Sequence, residues 1–289
     1  MRTTILRAFL LTCLLAISTS LFAQDTTKLT PPPAPWTNEL GVRLNLSQVS
    51  FSHWTQGGTD ALAYLASLNG KSVRNDTNTN WATTYKFKYG QAKLNEQGIR
   101  KMDDEINFES ILTYKLGVRI NPYVAASLLT QFAPGFNYPS DTGAAVQVSD
   151  FFDPAYLQQG AGAGFLISKE VKTRLGVALR EIVTNHYNQY AAEPKESETK
   201  KIRITGGIES ETEIELPIED NVMFKGKLDL FAPIKTLDRV VLHGETSLVA
   251  KVSKIFSAEL TAFFINDPDV TPFTQIKQGL SIGISYSIL

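Results

Sequence analysis

The chain has 289 residues, is 43% hydrophobic and 20% charged, and carries a formal net charge of −1. That balance gives no electrostatic reason to expect nucleic acid as a partner. Beyond the first two dozen residues no run approaches the ~18 consecutive apolar residues of a membrane helix, which leaves an exported soluble protein or a β-barrel whose strands place apolar residues at alternate positions.

The chain begins as a secretory leader. Met1 and Arg2, a second arginine at Arg7, an apolar stretch from Ala8 to Ile17 and small or polar residues up to Gln24 place cleavage after Ala23, so residues 1–23 are read as a signal peptide. Cys13, the only cysteine, falls inside it, and the mature chain is expected to hold no disulfide. Residues 24–35, with the run Pro31-Pro32-Pro33, read as an extended spacer.

Residues 36–289 read as one outer-membrane β-barrel. About twelve segments alternate with a period of two: 38–50, 60–70, 80–92, 104–117, 121–132, 156–168, 171–183, 201–215, 221–232, 239–252, 256–266 and 275–288. In the fourth, Ile106, Phe108, Leu112 and Tyr114 oppose Asn107, Glu109, Thr113 and Lys115; in the ninth, Val222, Phe224, Leu228 and Leu230 oppose Lys225, Lys227 and Asp229. A lipocalin-like soluble barrel shares this period but faces water with its charges. The number and length of the segments, and the Tyr, Phe and Trp near their ends, favour the membrane arrangement: an all-β, transmembrane, antiparallel up-and-down barrel with a charged lumen. Phe224, Ile282 and Ile284 should then face outward.

With both termini on the periplasmic side, odd connections should be long and external, even ones short. Ala133 to Pro154 and Asn185 to Lys200 fit the first kind, Ser168 to Glu170 and Leu216 to Asp220 the second, whereas Lys71 to Thr79 is longer than expected.

The run Gln48 to Gly58 holds the pattern Gln48-x2-Phe51-x2-Trp54-x2-Gly57-Gly58. Tandem glycines after an aromatic cluster suit a hairpin loop, and His53, Trp54, Gly57 and Gly58 are candidates for a rim that grips a ligand or partner. The pattern, soon after a leader ending Phe22-Ala23-Gln24 and a proline-rich spacer, resembles an uncharacterised family of outer-membrane β-barrel proteins of the Bacteroidota, a domain of unknown function. The resemblance implies a barrel in the outer membrane and transfers no activity. At the other end, Ser281, Gly283, Tyr286 and Ile288 resemble the signal recognised by the barrel-assembly machinery, which implies that machinery as a partner during biogenesis.

Chemistry-bearing residues are few. Three scattered histidines and no mature cysteine offer no structural metal spacing, and no cofactor is expected. His243, with Glu245 and Ser247 on the same strand face, is the one candidate base for a barrel enzyme acting on lipids, but alternate residues lie nearly 7 Å apart along a strand, too far for ordinary neighbours to bond. No catalytic residue is assigned.

The remaining charges collect on the predicted lumen: Arg43, Lys86, Lys88, Glu109, Lys115, Arg174, Arg203, Glu209, Glu211, Lys225, Lys227, Asp229, His243, Glu245 and Lys277. A bore of about twelve strands lies between the filled eight-stranded barrel and the open sixteen-stranded porin. Mixed charges there either line a narrow polar path for a small solute or cross-link into a closed scaffold that displays its loops. An accessory subunit of an envelope complex, docking through its apolar belt or the Trp54 rim, is a further alternative. Outer-membrane lipid is the expected surrounding in every case except the soluble one.

Overall fold

The computed structural model describes residues 35–49, 61–94, 98–139, 144–192, 200–253, 255–268 and 271–287. The predicted signal peptide, nearly all of the spacer, and His53, Trp54, Gly57 and Gly58 lie outside the described residues.

Among the described residues fourteen strands follow one another: β1 (Trp36–Val49), β2 (Ala61–Asn75), β3 (Thr79–Leu94), β4 (Ile99–Tyr114), β5 (Ile120–Thr130), β6 (Gly135–Asn137), β7 (Val146–Ser149), β8 (Ala155–Leu166), β9 (Val171–Val183), β10 (Ile202–Glu219), β11 (Val222–Pro233), β12 (Val241–Lys251), β13 (Phe256–Asn266) and β14 (Gln275–Ser287). Twelve of them form a closed antiparallel barrel in chain order, with β5 beside β8 and β14 returning to β1. The short pair β6 and β7 forms its own hairpin inside the connection from β5 to β8.

Period-two alternation produces this wall because each strand sends successive side chains to opposite faces. Across the β10–β11 pair, Glu211 stands opposite Asp229 and Glu213 opposite Lys227, whereas Thr212 stands opposite Leu228 and Leu216 opposite Phe224. Charged parity aligns with charged parity around the ring. The apolar parity is the outer one: Leu44, Val124, Leu175, Val177, Ile204 and Leu260 are exposed, as are Ile282 and Ile284. Aromatic rings mark the outer wall near the end where β1 begins and β14 finishes, where Trp36 and Trp81 meet edge to face at 5.5 Å.

The strands run past several expected boundaries. β2 continues to Asn75 and β3 begins at Thr79, so the second connection is a tight turn and the apparent exception to the long-short rule disappears. The extension was hidden because Gly70, Ser72 and Arg74 hold its outer face, a parity that carries little apolar signal. Tyr85 lays its ring over Gly70 and supplies the cover instead. β10 likewise continues through Pro217 to Glu219, with a register shift at that point. Proline is tolerated at such an irregularity because no regular ladder bond is required of it.

Candidate functional site

Lumen-facing charges are set by parity and then sorted by distance across the bore. On one side, Glu109 of β4 accepts from Arg174 of β9 at 2.5 Å and from Lys227 of β11 at 2.7 Å. Glu211 of β10 meets the same two cations at 2.6 and 2.9 Å. A second group joins Lys86 of β3 to Glu245 of β12 at 2.7 Å and to Glu105 at 3.7 Å, with Lys88 on Glu105 at 3.4 Å. Lys277 of β14 reaches Asp103 of β4 at 2.9 Å, and Arg43 of β1 pairs with Glu259 of β13. Because β4 and β11, and likewise β3 and β12, are distant in strand order, the Glu109–Lys227 and Lys86–Glu245 pairs span the interior, whereas the pairs of Glu211 and of Glu105 join neighbouring strands along the wall.

The half of the bore enclosed by β5 to β11 is further filled by aromatic groups that face inward. Tyr123 donates its hydroxyl to Glu209 at 2.6 Å, Gln158 donates to the other oxygen of that carboxylate at 2.7 Å, and Arg180 donates to Gln158 at 3.1 Å. Arg180 also lies 4.2 Å over the ring of Phe231, which is fully buried. Gly160 makes this packing possible: the Glu209 carboxylate occupies the space where a side chain at 160 would stand. By contrast, the inner parity of β14, β1 and β2 includes Gly279, Ser281, Gly41, Ser47 and Ser67, all small. The filled side and this stretch of small residues share one lumen.

Residues 46–136, about a third of the chain, match a family model described as "Protein of unknown function (DUF3078)". That span contains the whole Gln48 to Gly58 run on which the resemblance rests. No curated protein matches the chain. Among solved structures, the chain is similar to the translocator domain of the autotransporter NalP from Neisseria meningitidis, at 11% identity, with 99% of this chain and 97% of that chain covered and a TM-score of 0.38. It is similar to the COG4313 outer membrane channel from Pseudomonas putida F1 at 9% identity, with 92% and 99% covered and a TM-score of 0.40. It is similar also to the outer membrane channel DcaP of Acinetobacter baumannii at 9% identity, with 92% and 100% covered and a TM-score of 0.34. Closure and strand count stand on the chain's own register.

The candidates named from the sequence separate into four groups. Arg43, Lys86, Lys88, Glu109, Arg174, Glu211, Lys227, Glu245 and Lys277 meet in the lumen ion pairs, with Glu209 beside them on Tyr123. Asp229 stands in register between Glu211 and His243, nearer the loop end. Arg203 donates to the Ala192 carbonyl at 3.0 Å and ties down the loop after β9, while Lys225 pairs with Glu215 at 3.3 Å in the open near the opposite end. Lys115 is a correction: it lies one residue beyond β4, and its ammonium group donates to Asn75 at 2.6 Å and the Asp76 carbonyl at 2.5 Å. It staples two turns together, because the strand that should have aimed it inward ends at Tyr114.

Asp103, Glu105, Arg180, Tyr123, Phe231 and Phe263 belong to the inner face without having been singled out. Phe263 shares the parity of Glu259 and Thr261, a signal masked by its outward neighbour Phe264. Glu245 is drawn to Lys86, not toward His243. Carboxylate oxygens of Glu109, Glu211 and Glu213 lie within 4.8 Å of one another, a spacing that suits a cation, yet Arg174 and Lys227 already engage two of the three.

Proposed function

We propose that the protein is an outer-membrane barrel, exported by its leader, that passes small polar solutes through a narrow lumen braced by ion pairs. The observation that carries this reading is the Glu109–Lys227 and Lys86–Glu245 bracing across the interior. Charges on the inner face with apolar side chains outside suit a wall in hydrocarbon, whereas a soluble barrel reverses the two. Every barrel strand is at least eleven residues long, enough for the ~9–11 residues a tilted strand needs to cross a bilayer. Braces of this kind narrow a twelve-stranded bore that side chains of ordinary size would leave partly open.

The test is planar-bilayer conductance of the purified protein. Small steps are expected, and they should grow when Lys86→Ala and Glu245→Ala are combined. Silence in both proteins would favour the closed scaffold, and wide porin-like steps unaffected by the double substitution would remove the bracing from the account.

A further inference from the structure

We infer that the seam between β1 and β14 is a lateral opening through which an amphiphile with an acyl tail and a carboxylate head exchanges between the lumen and the surrounding lipid. The inference rests on the membrane placement proposed above. Among the described residues, β1 and β14 are in register only from Gly41 opposite Ser287 to Asn45 opposite Gly283. β1 is paired with β2 along all fourteen of its residues, and β14 is paired with β13 from Gln275 to Ile284. Toward the loop end, Leu46 to Val49 and the residues that continue the register opposite them, Gly279 to Ile282, therefore each keep one bonded edge, and among the described residues their other edges face each other unpaired.

A free strand edge in hydrocarbon is costly, since no water is present to take its N–H and C=O groups. The side chains nevertheless place this stretch in the apolar belt. Leu280 is 77% exposed and Ile276 73% exposed, more than the outward residues of strands that have neighbours on both sides, such as Leu179 at 51%. Where pairing stops, the buried Asn45 Oδ1 has no hydrogen-bond partner among the described residues.

Both sides of the seam are shaped for an amphiphile. Outside, a groove of about 540 Å³ lies against its paired end, with Leu44, Leu68, Phe87, Phe132, Ile284 and Tyr286 in its lining. Inside, β14 offers Gly279 and Ser281, which present little bulk, and next to them Phe263 is approached by three ammonium groups: Lys88 at 4.7 Å and Lys86 and Lys277 at 5.8 Å each. Their carboxylate partners, Glu245, Glu105 and Asp103, are the groups an entering anionic head would displace. A flat apolar ring ringed by cations suits the junction of tail and head, and the groove suits the tail.

The experiment uses the purified mature protein in phosphatidylethanolamine bilayers, irradiated with a diazirine-bearing fatty acid and mapped by peptide. Labels are expected to concentrate on Leu46, Ile282 and Ile284 outside and on Phe263 inside. They should be lost when Ser47→Cys and Ser281→Cys are tied by a disulfide or, where none forms, by a short bismaleimide, and regained on reduction of the disulfide. Lys88→Ala with Lys277→Ala should remove the Phe263 label while leaving the outer ones. Even labelling around the belt, or labelling indifferent to the tie, would overturn the inference. So would cysteines that link two chains, since the free edges would then join copies. Bore conductance recorded on the tied protein separates the two readings: a protein that conducts but labels evenly loses only the seam, and one that labels at the seam without conducting loses only the bore.

Discussion

Lys86 on β3 and Glu245 on β12 are joined at 2.7 Å although five strand steps separate them around the wall by the shorter way. Such a pair acts as a strut: it narrows the water path and resists flattening of the barrel. Removing both ends should widen the bore with little loss of stability, about 1 kcal/mol or less, because the Glu245 side chain is more than a third exposed and water screens the pair. Single-channel conductance of Lys86→Ala/Glu245→Ala, compared with each single variant, checks this; the double variant should conduct best.

Glu109 should behave differently. Its side chain is 11% exposed and it serves two cations, Arg174 and Lys227. Glu109→Gln leaves Arg174 and Lys227 with Glu211 as their remaining carboxylate, for which a loss of about 1–3 kcal/mol is expected. Glu215→Gln, whose side chain is 58% exposed beside Lys225, should lose under about 1 kcal/mol. Urea unfolding followed by tryptophan fluorescence would compare the two.

Two glycines of one strand predict opposite outcomes. A methyl group at Gly162 would run into the backbone of Leu175 and Gly176, whereas one at Gly164 would meet only the Asn121 carbonyl, at 3.6 Å. Gly162→Ala should therefore destabilise the barrel by about 1–3 kcal/mol, as overpacking does. Gly164→Ala should stay within about 0.5 kcal/mol of the parent. Equal effects in urea titrations would contradict the close approach of β8 and β9.

The outer wall can be tested by one charge. Val177 lies mid-way along β9, points outward and is 61% exposed. Val177→Arg should destabilise the barrel by about 2–4 kcal/mol in lipid vesicles if hydrocarbon surrounds that position. A wall facing water would accept the arginine with little change.

Much of the wall is legible from residue order alone. In the β9 segment, Lys172, Arg174, Gly176, Ala178 and Arg180 alternate with Thr173, Leu175, Val177 and Leu179, and the strand spans Val171–Val183, as the pattern indicates. The same reading falters at β2, whose outer face carries Gly70, Ser72 and Arg74. There the apolar cover comes from rings on β3, which no local pattern in β2 records. The inserted β6–β7 hairpin is equally hard to see, since its strands of three and four residues are too short to establish a period.

Residue order determined the number of barrel strands and, for nearly every charged residue, the face it occupies, because parity along a strand is a local property of the backbone. Tertiary structure alone decided the partners. Glu109 and Lys227 stand 118 positions apart in the chain, and only the closing of the ring brings β4 within reach of β11. The same closure left β1 and β14 in register only from Gly41 to Asn45 among the described residues, since the register between a first and a last strand depends on every strand between them.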